Sequence, residues 1–314
     1  VNQLLIHIGY PKTATTWAQH NLFNAEACGF GSLLSEKSDR QHFNDLVIGP
    51  DAAVPFPTRI DELNDEISRV ATNLVPVISA ESLVGVGTNW LPRADAKLIA
   101  ERLKQLFPEA RILLTIREQN SWLHSEYTQY IRGGGWKPFS DYLNPVSITK
   151  QISARAMWMN YLLYDRTITI YREAFGEKNI LVLPLEKLKA DAQDFVERIW
   201  EFCGIDAGDV EMPSFAPIKE RQSGLYVTLR RPLNRFISSD PNHPLEFFVP
   251  SRAYGLYARG FKWLDGKVMN RNSKRADAKL NSEISDLVGG YYAKSNQRTA
   301  EMTGLDLASL GYML

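Results

Sequence analysis

Leu4, Leu5, Ile6 and Ile8 are apolar with His7 among them, and the run ends at Gly9 and Pro11. That pattern predicts a short buried strand over 3–8. Apolar residues at helical spacing resume at Thr13 and continue towards Phe23, predicting a helix over 14–25. A loose segment with Gly31 and His42 follows, then a helix over about 58–73 and a strand from Val75 to Ser79 that leads to Glu81. Next come helix 93–106, strand 111–116, helix 120–131 and the turn Gly133 to Gly135. A helix around 149–175 precedes strand 180–184 and helix 188–203. Beyond an irregular region rich in Pro, Arg and aromatics, a last amphipathic helix carries Leu280, Ile284, Leu287 and Tyr291. Strands alternating with helices predict an α/β fold, a parallel sheet covered on both faces, with ligands bound beyond the C-terminal strand ends. Lys12, Glu81 and Arg117 each follow a strand, so one crevice is expected to hold all three.

Composition narrows the functional classes. The 314 residues carry 36 basic and 36 acidic side chains, so no global field recruits nucleic acid or an anionic membrane, and any anion site must be local. The chain shows no linker, low-complexity tract or internal repeat, which fits one domain over 1–314. Two cysteines far apart, Cys28 and Cys203, give neither a disulfide framework nor a metal cluster. No apolar stretch approaches the ~18–20 residues of a membrane span, and there is no Asn-x-Ser/Thr sequon, so the cytoplasm is the expected compartment.

The most informative chemistry lies in residues 6–17, Ile-His-Ile-Gly-Tyr-Pro-Lys-Thr-Ala-Thr-Thr-Trp. Strand, tight loop and helix follow one another there. Amides at a helix start, at the positive end of its dipole, attract a tetrahedral oxyanion. Lys12 adds a point charge, and Thr13, Thr15 and Thr16 offer hydroxyls. A plain helix start capped by Thr13 is the competing explanation. The nucleotide-triphosphate pattern G-x-x-x-x-G-K-[ST] is not met: the lysine comes three residues after Gly9, and Ala14 replaces the second glycine. Farther on, strand Arg111 to Ile116 ends in Arg117, and Ser125 lies eight residues beyond it on a helix. An arginine fork suits phosphate.

Pro-Lys-Thr-x-Thr-Thr after a strand resembles the 5′-phosphosulfate loop of sulfotransferases that use 3′-phosphoadenosine 5′-phosphosulfate (PAPS). The Arg117/Ser125 spacing is similar to that family's 3′-phosphate site. Ile180 to Asp191 resembles its late strand and helix, and Tyr292 to Tyr312 the C-terminal end of many bacterial members. The resemblance implies a P-loop-NTPase-like three-layer fold, with acceptor-specific insertions around 30–75 and 205–275. It also implies donor binding by Gly9, Pro11, Lys12, Thr13, Ala14, Thr15, Thr16, Arg117 and Ser125. Arg221, in Lys219 to Gly224, would close over the 3′-phosphate.

Sulfuryl transfer resembles phosphoryl transfer, in which positioning and charge stabilisation dominate. Lys12 would neutralise the leaving group, leaving 3′-phosphoadenosine 5′-phosphate (PAP), with no metal required. Glu81 and His42 are the two candidate bases, glutamate and histidine both serving in members of the family. His7, His20, His124 and His243 show no partner signature and no metal-ligand spacing. The acceptor would be a hydroxyl or amine on a small molecule or glycan. A small-molecule kinase on the same scaffold, or a non-catalytic nucleotide-binding relative, are the alternatives. The missing Lys-Ser/Thr end of the loop counts against the kinase.

Overall fold

The computed structural model describes residues 3–34, 43–44, 47–48, 65, 67–85, 96–143, 159–215, 223–235, 251–265 and 273–314. These fall into two compact units: the first takes 1–118, 163–218 and 293–314, the second 119–162 and 219–292.

The first unit is built on a parallel sheet. Strands β1 (Leu5–His7), β2 (Phe30–Ser32), β3 (Val75–Ser79), β4 (Arg111–Ile116) and β5 (Ile180–Pro184) lie in the order β2-β3-β1-β4-β5. Their near-continuous burial is what a sheet covered on both faces requires. On one face Leu5, Val77, Leu113 and Leu183 pack against the helical stretch after β1 and against α7 (Ala192–Cys203), which contributes Phe195, Val196, Ile199 and Trp200. Helices α2 (Ala96–Leu106), α5 (Tyr164–Phe175) and α11 (Ala293–Thr303) pack together as a second group. After β1 the chain goes first to the edge strand β2 and then to β3, which lies between β2 and β1, before crossing to β4 and β5 on the other side. In open α/β sheets such a reversal marks the ligand-binding end, here the C-terminal end of β1.

The second unit contains α3 (Gln119–Arg132), α4 (Phe139–Leu143), α8 (Gly224–Asn234), α9 (Ser251–Leu264) and α10 (Lys274–Val288). Gly224 lies so close to α10 that an added Cβ would sit 2.6 Å from the Asp277 nitrogen. Arg230 is 1% exposed, donates to the Arg132 carbonyl at 2.9 Å, and stacks on Tyr226 and Tyr257.

Six sequence expectations need correction. The helix over 14–25 is α1 (Thr15–Trp17) followed by a π-helical stretch, Ala18–Phe23. Asn21 Nδ2 takes the Trp17 carbonyl at 3.1 Å, and Asn24 N–H reaches Gln19 O five residues back. The loose segment at Gly31 contains edge strand β2, joined to β3 through Val75 N–H to Gly29 O at 2.9 Å. The helix over 149–175 is interrupted at Leu162 and Leu163, where the chain passes between units; 144–158 lie outside the described residues. Helix 188–203 is two helices, α6 (Leu185–Ala190) and α7, because Asp191 turns extended and caps the Asp194 amide at 3.0 Å. The irregular stretch after 205 holds α8 and α9, Pro232 being tolerated near the end of α8. Finally, α10 is not the last helix. It ends at Val288, Tyr291 is exposed, and α11 follows with a polar buried face of Ser295, Asn296 and Thr299.

Candidate active site

The site grows from the register of three central strands. In the parallel ladder His7 stands opposite Ser79 on β3 and Leu113 on β4. Side chains alternate along a strand, so Thr115, two residues beyond Leu113, shares the face of His7 and Ser79. These three polar residues form a layer immediately beyond the apolar layer of Leu5 and Val77. His7 Nδ1 is 2.8 Å from Ser79 Oγ, and His7 Nε2 is 3.1 Å from Thr115 Oγ1. Phe23 packs on the imidazole with ring centroids 5.2 Å apart. Burial drives the His7 pKa down from 6.5 to about 3, so the ring is neutral.

The loop after β1 rests on this layer. Gly9 is required by close approach: a Cβ there would lie 2.1 Å from Thr115 Oγ1 and 2.6 Å from His7 Nε2. Tyr10 N–H donates to Thr115 O at 3.0 Å, and its buried hydroxyl pairs with Thr167 Oγ1 at 2.8 Å. Thr13 is buried; its hydroxyl donates to Tyr10 O at 2.5 Å and lies 2.7 Å from Thr115 Oγ1. Lys12 and Ala14 are both left-handed, at φ 67 and 64. Ala14 is the N-cap of α1 and its side chain makes no cap bond, so the capping role considered for Thr13 is not observed. Ala18 N–H donates to Ala14 O at 3.0 Å. Helix geometry leaves the preceding amides without partners inside the helix.

Of the residues singled out from sequence, Gly9, Pro11, Lys12, Thr13, Ala14, Thr15, Thr16, Glu81 and Arg117 all belong to the first unit. Arg117, 7% exposed at the end of β4, donates through Nη1 to the Lys12 carbonyl at 3.1 Å. Tyr164 OH donates to the Arg117 carbonyl at 2.5 Å. Glu81 opens a short 3₁₀ turn after β3 and accepts a hydrogen bond from Thr15 Oγ1. Thr15 is buried, Lys12 half-buried and Thr16 exposed. Three strand ends thus meet at one loop. Ser125 is half-buried on α3 in the second unit. His42 and Arg221 lie outside the described residues.

Sequence reasoning passed over His7, Ser79, Thr115 and Gln19, which hold the loop from below. Gln19 Nε2 donates to Ser79 Oγ at 3.1 Å. The signal available was one polar residue at the C-terminal end of each apolar strand; only the strand register brings them together.

The arrangement suits an anion. A cation and an outward hydroxyl stand at a helix start, a buried guanidinium braces the loop, and a carboxylate that can accept a proton touches the same loop. Among the described residues no group of three or more His, Cys, Asp or Glu is placed to hold a metal ion. Nor is any helix among them long and apolar enough to cross a membrane.

Comparison with known proteins agrees with this geometry. No curated protein matches the sequence. Among solved structures, a sulfotransferase from Alicyclobacillus acidocaldarius is similar with a TM-score of 0.59 and 13% identity, over 99% of each chain. The sulfotransferase domain of the Synechococcus PCC 7002 olefin synthase aligns over 65% of this chain and 73% of its own, with a TM-score of 0.38 and 15% identity. The first likeness shows the fold, and the second is too loose to add to it. The sequence profile of the sulfotransferase family matches residues 5–209. Covering well over half of the chain, that match decides the matter: the protein belongs to the sulfotransferase family and is a transferase.

Proposed function

We propose that the chain moves a sulfuryl group from PAPS to a hydroxyl or amine acceptor, on a small molecule or a glycan. The observation that carries this is the loop after β1. In a protein of this family, a helix start bearing Lys12 and Thr16 is tied to the Arg117 guanidinium and the Glu81 carboxylate. The fit to a phosphosulfate is a matter of donors: an outward hydroxyl, a lysine and helix-start amides stand on one loop.

In this proposal the acceptor oxygen or nitrogen forms a bond to sulfur as the bond from sulfur to the 5′-phosphate oxygen breaks. Lys12, with the amides of residues 14–16 and the Thr16 hydroxyl, holds the 5′-phosphate and stabilises its developing charge. The Thr13 hydroxyl has its single proton on the Tyr10 carbonyl, so Thr13 serves the loop rather than the ligand. Gly9, Pro11 and Ala14 contribute shape and backbone. Arg117 is assigned to the 3′-phosphate; Ser125 and Arg221 take their roles there from the resemblance alone.

Glu81 takes the acceptor proton, with His42 as the other candidate. Glu81 follows a strand and touches the loop through Thr15, and such rigid placement is what a general base needs. The contact also links the two halves of the chemistry, because the Thr15 hydroxyl must turn from Glu81 if it is to serve the phosphate.

Calorimetry with PAP, and separately with ATP plus Mg²⁺, tests the donor. Binding of PAP alone supports the proposal; binding of ATP with Mg²⁺ and none of PAP replaces it with a kinase. An acceptor panel with radiolabelled donor then identifies the substrate class.

A further inference from the structure

Around a neutral His7, the five hydrogen bonds beneath the loop admit one ordering of protons. Thr13 Oγ1 donates to the Tyr10 carbonyl, which can only accept. A hydroxyl has one proton, so Thr13 must accept from Thr115 Oγ1 across their 2.7 Å contact. Thr115 has then used its own proton and must accept from His7 Nε2, 3.1 Å away. His7 therefore carries its proton on Nε2. At the other end, the Gln19 amide donates to Ser79 Oγ at 3.1 Å. In the neutral ring with its proton on Nε2, Nδ1 is unprotonated, and Ser79 Oγ donates to it at 2.8 Å. The order runs Gln19 to Ser79 to His7 to Thr115 to Thr13 to the Tyr10 carbonyl.

An imidazolium would put a proton on Nδ1 as well and make Ser79 Oγ an acceptor from both Gln19 and His7, which its two lone pairs allow, so the neutral state comes from burial. The swapped tautomer breaks the order at Thr115, whose one proton is already given to Thr13 and cannot also serve a bare Nε2. Full burial, which holds His7 neutral, agrees with the assignment.

We infer that His7, fixed as the neutral Nε2–H tautomer, is a positioning residue that sets the backbone of the loop through Thr115 and Thr13. Several observations connect the chain to the loop. Gly9 is packed directly on Thr115 Oγ1 and His7 Nε2. The chain ends on Tyr10, whose own amide is held by the Thr115 carbonyl. Thr13 stands between the two left-handed residues, Lys12 and Ala14, whose conformation is unfavourable for side chains with a Cβ and must be held by surrounding contacts. The inference rests on the proposed role of that loop as the donor phosphate site.

The test uses the full chain with selectively isotope-labelled histidine. NMR of the His7 imidazole should show the Nε2–H tautomer, still neutral at pH ~5.5, where an unperturbed imidazole is mostly charged. An Nδ1–H tautomer or an imidazolium overturns the inference.

In parallel, PAP affinity and donor KM are measured for Thr115→Val, which removes the middle hydroxyl at nearly constant shape, and for Thr115→Ser, which keeps it. Losing one link should weaken PAP binding and raise donor KM by about five- to tenfold, leaving acceptor KM in place. Thr115→Ser should recover most of that. A Thr115→Val enzyme with only a lower melting temperature, and with wild-type affinity in its folded fraction, overturns the inference while the donor proposal stands. Wild-type protein that does not bind PAP overturns the donor proposal, and with it the loop's role. The tautomer would then describe the fold alone.

Discussion

Replacing Gly9 by alanine is the sharpest perturbation available at the loop. The Gly9 backbone is not left-handed, so alanine can adopt it and the penalty is purely one of space. The new Cβ would sit 2.1 Å from Thr115 Oγ1, 2.6 Å from His7 Nε2 and 3.0 Å from Thr15 Cγ2. Relief requires movement of roughly 1 Å by groups that are buried and hydrogen-bonded, against an interior packed as densely as a crystal. Overpacking of this kind costs about 1–3 kcal/mol. Displacing Thr115 Oγ1 also breaks its bond to His7 or to Thr13, leaving a buried polar atom unpaired at a further cost of about 1–3 kcal/mol. The reduced freedom of the unfolded chain returns about 0.4–1 kcal/mol. A net loss of roughly 1–5 kcal/mol lowers the melting temperature by about 2–20 °C for a unit of this size. Circular dichroism melts and PAP calorimetry on Gly9→Ala measure the two consequences. A melting temperature within about 2 °C of wild type, together with unchanged PAP affinity, would show that the close packing has no energetic weight.

Other expectations concern charge and protons. Lys12→Ala should lower kcat by about a hundredfold or more with a smaller fall in donor affinity, as for a group that acts on developing charge; near wild-type turnover removes it from the mechanism. Arg117→Ala should weaken PAP binding by about 2–4 kcal/mol while adenosine 5′-phosphosulfate, which lacks the 3′-phosphate, loses little; equal losses count against the assignment. Glu81→Gln should cut kcat by about 10²–10⁴ with donor binding nearly intact, and His42→Asn should act mainly on acceptor KM; reversed phenotypes exchange the roles. The His7 pKa is depressed from 6.5 to about 3 on folding, so between those values the unfolded chain binds the extra proton. Stability therefore rises with pH across this window and is lost as pH falls below 6.5, by at most ~1.4 kcal/mol per pH unit. Urea midpoints measured from pH 7 to 5 should fall less steeply in His7→Gln than in wild type, and parallel slopes refute the assignment.

Much of the first unit was legible in the sequence because its strands announce themselves locally. Leu5–His7, Val75–Ser79, Arg111–Ile116 and Ile180–Pro184 are apolar runs with clear punctuation, and Lys12, Glu81 and Arg117 stand at three of their ends. What escaped is information that does not reside in local pattern. Strand β2, three residues with a glycine in the middle, has no periodicity to detect and exists because β3 offers it an edge. Helix α11 buries serine, asparagine and threonine, so hydrophobic spacing could not reveal it: Ser295 bonds Asp165 and Asn296 bonds the Met313 carbonyl. His7 looked like an isolated polar residue in an apolar run because its partners are residues from two other strands.

That separation has a kinetic consequence. His7 and Ser79 lie 72 positions apart, and His7 and Thr115 lie 108 apart, so no local segment can assemble the layer beneath the loop. Closing such distances costs chain entropy before any contact compensates it, and parallel pairing of this kind forms slowly. Until β3 and β4 have both docked on β1, the loop has no floor, and a partly folded chain presents Lys12 and its threonines without the shape that would select a ligand. Recovery of donor-analogue binding during refolding should therefore lag the return of helical signal, and substitutions at Thr115 or Ser79 should speed unfolding far more than they slow folding.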